Sequence, residues 1–171
     1  IALIVTVSSG LSIGANVLIA KHVGRNEAEK LPAAVQTAMR LAMCIGVIGL
    51  LLGQIAAAPL LRLIRTPEEI FDAAALYLRI YMLGYPFLLL HDFGAACLRA
   101  RGDSRYPFLA LLLSGFANVG LNLLFTAGLR MGVAVVAIAT DLSTMISAFL
   151  VLRRLAKDAV FRFAILSQRS A

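Results

Sequence analysis

Asp141 is a carboxylate inside Met131 to Leu152, a run otherwise built of apolar, small and hydroxylic residues. A run of that length reads as a membrane-crossing helix, where an ionisable side chain at mid-depth costs about 2.5 to 3.5 kcal/mol on insertion scales. Such a cost points to a task, and handling of an ion or a substrate is the first expectation. Asn118 and Asn122 stand four residues apart in the preceding apolar run, on one helix face. Thr140 and Ser143 flank the carboxylate. Amide, hydroxyl and carboxylate oxygens suit a hard cation such as Na⁺ at Asp141, and the carboxylate alone would take up and release a proton. The same groups also serve as glue between helices at about 0.6 to 2 kcal/mol each, and both readings stay open. His91 and Asp92 form a second polar site, with Asp92 seven residues before Arg99. A structural salt bridge, with Asp92 neutralised by Arg99 or by His91, is expected there ahead of a proton relay.

These residues need helices to hold them at depth. The chain has 171 residues, 61% hydrophobic and 15% charged, with a mean hydropathy of +0.90, far beyond the roughly 45 to 50% apolar content of soluble domains. An all-α, polytopic membrane bundle is the fold class, since period-two alternation is absent and a β-barrel is thereby disfavoured. Five spans are expected over about 1–20, 33–61, 70–98, 106–128 and 131–152, with 158–171 as a cytoplasmic interfacial tail or a linker to a further bundle. The chain starts at Ile1 without a methionine or the basic stretch of a signal peptide, so it reads as an internal segment with one helix upstream. Thr66, Pro67 and Glu69 are expected to cap and start the third span. Tyr85-Pro86 should kink that span, because Pro86 removes a backbone bond. Gly10/Gly14 and Gly49/Gly53 have the small-xxx-small spacing of close helix approach.

The basic residues set the orientation. Lys21, Arg25, Lys30, Arg99, Arg101, Arg105, Arg153, Arg154 and Lys157 fall on one side, against Arg62, Arg65 and Arg130 on the other. Nine against three places the loops around Arg25, Arg101 and Arg154 in the cytoplasm. Topology thus accounts for the net charge of +7, and nucleic acid is not an expected partner because the charges follow no face or motif. Span five then runs from outside inward, with Asp141 about 12 to 15 Å from its outer end. Asn122, on the antiparallel span four, comes to a similar depth. Asp141, Asn118, Asn122 and Thr140 or Ser143 are therefore expected to converge on one polar pocket. Gln36 and Gln54 are weaker cavity-lining candidates, and Arg40 and Arg79 lie close enough to span ends to snorkel. Arg101-Gly102-Asp103 reads as turn chemistry. Cys44 and Cys97 read as packing residues rather than a disulfide. No phosphate-binding glycine loop and no clustered His/Cys set occurs, so neither an enzyme nor a bound metal or organic cofactor is expected, and an ion gradient or a partner would have to drive transport.

Gly10-Leu-Ser-Ile-Gly14-Ala-Asn-Val-Leu-Ile-Ala-Lys21, Thr66-Pro67-Glu68, Tyr77-Leu-Arg79-Ile-Tyr81, Cys97-Leu-Arg99-Ala-Arg101-Gly102-Asp103-Ser104, Asn118-Val-Gly-Leu-Asn122-Leu-Leu-Phe125 and Met131-Gly-Val-Ala-Val-Val-Ala-Ile-Ala-Thr140 occur in that order. Together they resemble the multidrug and toxic compound extrusion (MATE) family over nearly the whole chain. The resemblance implies helices two to six of the N-terminal lobe of a twelve-helix, two-lobe transporter, with the first helix and the C-terminal lobe as missing partners. It implies an antiporter that exports small organic, often cationic, compounds in exchange for H⁺ or Na⁺ by alternating access, in a bacterial inner membrane. Family members use acids on helices one and six for coupling, which carries that role to Asp141. Asp92 stands where relatives often have Asn. A flippase of lipid-linked saccharides from the same superfamily, and a non-transporting scaffold, are the alternative expectations. The first would call for a groove lined by several Arg.

Overall fold

The computed structural model describes residues 2–27, 29–128 and 134–157, and all of its regular elements are helical. They are α1 (Ala2–Gly24), α2 (Leu31–Leu63), α3 (Glu68–Leu83), α4 (Tyr85–Ala100), α5 (Arg105–Leu123) with a π-helical turn at Leu124–Gly128, and α6 (Ala134–Lys157). By length and apolar character α1, α2, α5 and α6 each suffice to cross a bilayer, and α3 with α4 passes the same test as one span bent by 44°. Counting that pair once makes five. The expected turn at Leu129-Arg130 and the tail 158–171 lie outside the described residues.

Burial is arranged for a lipid solvent. Ile55, Phe116 and Phe149 are 76%, 69% and 63% exposed, whereas α4 buries eleven of its sixteen residues. That helix is the hub, packed against α1, α2 and α6. Its inner residues Leu89, Leu90, Phe93, Cys97 and Leu98 share one apolar core with Ile19 of α1, Val35 and Ala42 of α2, and Val151 and Leu155 of α6. Cys97 is buried as expected of a packing residue, but Cys44 is exposed on the outer side of α2, and both thiols are free.

The bend follows from local chemistry. Pro86 supplies no N–H for the carbonyl one turn back, so α3 ends at Leu83 and α4 restarts at Tyr85. Glycines on α2 receive the joint. A β-carbon on Gly46 would lie 2.7 Å from Pro86 Cα; on Gly49 and Gly53 it would overlap the Tyr85 ring and the Met82 sulfur. The Gly49/Gly53 spacing therefore does bring helices together. Among the described residues nothing lies within 4 Å of a β-carbon built on Gly10 or Gly14.

Connections hold the bundle at its edges. Gln54 donates from Nε2 to the Arg79 carbonyl at 2.8 Å, tying α2 to α3 rather than lining a cavity. At the other end of the third span Gly102 takes a φ of 86°, the left-handed turn that favours glycine. Asp103 Oδ1 accepts the Tyr106 N–H at 3.1 Å, capping α5, and Asp103 Oδ2 accepts from Arg154 Nε and a terminal guanidinium nitrogen at 3.2 and 3.1 Å. The Arg154 guanidinium also lies over the Tyr106 ring. Between α1 and α2, Glu27 Oε2 meets His22 Nδ1 at 2.7 Å and Lys30 Nζ at 3.4 Å. Thr66 is not the cap of the third span: Pro67, with ψ of 142° and no side-chain cap bond, holds that position, and α3 starts one residue later than the capping motif implies.

Candidate functional site

Two polar groups that sequence places in one pocket are separate in the structure. On α5, Asn118 Nδ2 donates to Ser143 Oγ at 3.2 Å and, at a long 3.4 Å, to Thr140 Oγ1 on α6. Asn122 Nδ2 donates to Asn118 Oδ1 at 3.1 Å and to the Asn118 carbonyl at 2.9 Å. Thr140 and Ser143 in turn donate to the carbonyls of Val136 and Thr140 at 2.8 Å. Asn118, Asn122, Thr140 and Ser143 thus form one neutral network across the α5–α6 contact, in which Asn122 Oδ1 is the buried atom without a partner. The π-helical turn begins two residues after Asn122.

Asp141 faces elsewhere. Successive helix residues are 100° apart, so while Thr140 meets α5, Asp141 turns toward the bent third span. Its carboxylate lies against the main chain of Gly84. A β-carbon on Gly84 would overlap Oδ1 and Cγ of Asp141, so only glycine admits the acid this closely. Around the contact, Tyr81, Tyr85 and Leu88 from the bent span and Thr144 from α6 line a cavity with room for about one water. Thr144 donates to the Thr140 carbonyl at 2.8 Å, and the Tyr85 hydroxyl accepts from Ser8 Oγ of α1 at 3.2 Å. Tyr81 stacks on Tyr77 with ring centroids 6.4 Å apart. The expected common pocket of Asp141 with Asn118 and Asn122 is therefore corrected. The acid's partner is a helix break.

That partner was within reach of sequence. Gly84-Tyr85-Pro86 marks a broken turn, and positive-inside orientation makes spans three and five parallel, so the break and Asp141 come to similar depth. Depth was readable; the direction in which Asp141 points around its helix was not.

His91 is buried and Asp92 half-buried inside the bundle. His91 is 9% exposed, and its Nδ1 lies 3.3 Å from Asp92 Oδ1. Arg99 is exposed at the end of α4, and among the described residues no ion pair joins it to Asp92. Of the two neutralising partners expected for Asp92, the structure provides the histidine. Among the described residues, no three His, Cys, Asp or Glu side chains gather as a metal site.

Residues 1–126 match the MatE family. This chain belongs to it. As a MatE protein it is a membrane transporter segment and not an enzyme. It is similar to the probable multidrug resistance protein YoeA of Bacillus subtilis (strain 168), with 33% identity over 154 residues, covering 88% of this chain and 33% of the relative. It also superimposes on an inward-facing multidrug resistance MATE family transporter of the MOP superfamily, with a TM-score of 0.86 and 25% identity, covering 91% of this chain and 36% of that one. The outward-facing conformation of such a transporter fits about equally well, with a TM-score of 0.84 and 26% identity over 89% of this chain and 34% of that one. The chain spans about a third of the length of these relatives. Both conformations of these relatives thus match the MatE segment about equally.

Proposed function

We propose that the complete transporter exports small organic compounds, drugs among them, in exchange for protons by alternating access, with Asp141 as the group whose protonation changes between states. The observation that carries this reading is the contact of the Asp141 carboxylate with the Gly84 break of a bent membrane span. An ionised acid there has phenol and hydroxyl neighbours, with no cation among the residues lining the cavity. Adding a proton removes the charge in place. Sodium is less suited, because a hard cation needs several oxygen ligands, whereas the cavity holds about one water. The multidrug resistance named for YoeA supports the substrate class. The positive-inside distribution supports a cytoplasmic position for the loops around Arg25, Arg101 and Arg154.

Asp141→Asn in the complete transporter is the test. At normal membrane abundance, proton-driven efflux from proteoliposomes falls at least about tenfold, the loss expected when a coupling charge is removed rather than a helix contact. Unchanged efflux would sink the coupling role.

A further inference from the structure

The third span carries another ionisable pair, and its geometry differs from that of Asp141. His91 Nε2 and Asp92 Oδ2 are both buried without a hydrogen-bond partner, as is Ser147 Oγ on α6. Asp92 is an acceptor at Oδ1, so the Nδ1 of His91 carries the hydrogen of their 3.3 Å contact. That tautomer leaves the Nε2 lone pair free and directed into the protein interior.

Among the described residues, the other buried polar side chains are all serines. Buried residues of α1 are Ser8, Ser12 and Ile19, and those of α2 are apolar or glycine. The buried residues of α5 are Pro107, Ala110 and Ser114. Half-buried ionisable side chains on the described helices packed on α4 are His22 of α1, Tyr77 and Tyr81 of α3, Tyr106 of α5 and Asp141 of α6, and Arg99 at the end of α4 is exposed. A carboxylate left alone in such a place costs several kcal/mol. Uptake of H⁺ by Nε2 turns the pair into imidazolium and carboxylate with no net charge, and its release restores the starting state. No bond other than N–H forms or breaks.

Placement links this pair to Asp141. Tyr81, Leu88 and Asp92 are spaced i, i+7 and i+11, one face of the bent span, and Tyr81 lies within electrostatic reach of both Asp141 and Asp92. On the neighbouring stripe, Gly84 touches Asp141 and Gly94 touches Val151. His91 falls between them, and Ser147 falls between Asp141 and Val151 on the parallel helix. We infer that His91 and Asp92 form a second proton-binding site, about 11 Å along the span from the Gly84 break by helix rise, reached past Tyr81 and Ser147. The site stands whether or not Asp141 couples drug efflux.

Histidine-selective ¹⁵N magnetic resonance of the complete transporter in lipid nanodiscs tests it, with the His91 signal assigned by its loss in His91→Gln. The expected result is passage from the neutral Nδ1–H tautomer to imidazolium as the medium is acidified, with Asp92→Asn weakening proton affinity about tenfold, the effect of an opposite charge at contact. A His91 that stays neutral throughout overturns the site, and so does a titration unmoved by Asp92→Asn. A signal that follows sodium concentration at fixed pH overturns it in favour of a metal cation. Should His91→Gln not fold, the resonance is the one displaced by Asp92→Asn, and displacement of none is equally decisive against the site. Efflux is not read, so this outcome is separate from that of Asp141→Asn.

Discussion

Thr140 and Asp141 are neighbours in sequence, yet they belong to regions of opposite character. Thr140 joins Asn118, Asn122 and Ser143 in a neutral network closed by hydrogen bonds between α5 and α6. Asp141 brings a carboxylate against a helix break. Depth in the membrane is nearly the same for both, so burial alone does not separate them. What separates them is charge. A neutral network leaves only the Asn122 Oδ1 among its members buried without a partner, and its worth is about that of helix glue. A carboxylate within an apolar span has a strong reason to change its protonation.

The sharpest way to break the contrast is at the glycine. Gly84→Ala puts a methyl group on top of the Asp141 carboxylate, and the overlap is expected to cost about 1 to 3 kcal/mol of stability and to reduce efflux as far as Asp141→Asn does. Thermal unfolding of the single and double variants checks it: adding Asp141→Ala should return a sizeable part of the lost stability, with a coupling of about 0.5 to 3 kcal/mol. Strict additivity would mean that the acid and the break do not touch.

A milder effect is expected across the interface. Asn118→Ala removes both bonds to α6 and should cost about 0.6 to 1.7 kcal/mol of bundle stability, while efflux stays within about twofold of the parent, because Ser143 and Thr140 keep their own carbonyl bonds. Measured transport that drops as far as in Asp141→Asn would move the ion site to the amides and reverse the comparison.

The smallest effect lies outside the spans. The hydrogen bond from His22 holds the Glu27 carboxyl below its usual range, and Lys30 adds to this. A depressed carboxyl stabilises the fold above its unfolded-state range and loses that contribution as pH falls through its folded value. Hydrogen exchange at the α1–α2 turn should therefore quicken on acidification below about pH 4, the ordinary carboxylate range. Glu27→Gln should exchange faster at neutral pH and lack the acid step.

The helical spans, the bend at Tyr85-Pro86 and the isolation of Asp141 were all legible, because each depends on hydrophobic run length, a missing N–H or a single charge. Pairing around the helix axis was not. Placing Asp141 with Asn118 required knowing rotation to within a residue, and one residue is 100°. The Thr66 cap failed for a related reason: a side-chain motif at a helix start competes with Pro67, whose own geometry sets where the helix begins. The burial of His91 was missed because Arg99, two turns away, looked like an adequate partner along the chain. In space that arginine stays at the surface.

Gly46, Gly49 and Gly53 receive Pro86, Tyr85 and Met82 in turn, like three sockets that hold three pegs. Sockets on a helix repeat only where the glycines are, so α2 has one seating along the bent span and no neighbouring notch into which to slip. Any swing of the joint at Gly84 must therefore carry α2 with it. A force applied at a single carboxylate on α6 would be delivered, through that fitting, to a 33-residue helix that by its rise spans about 50 Å.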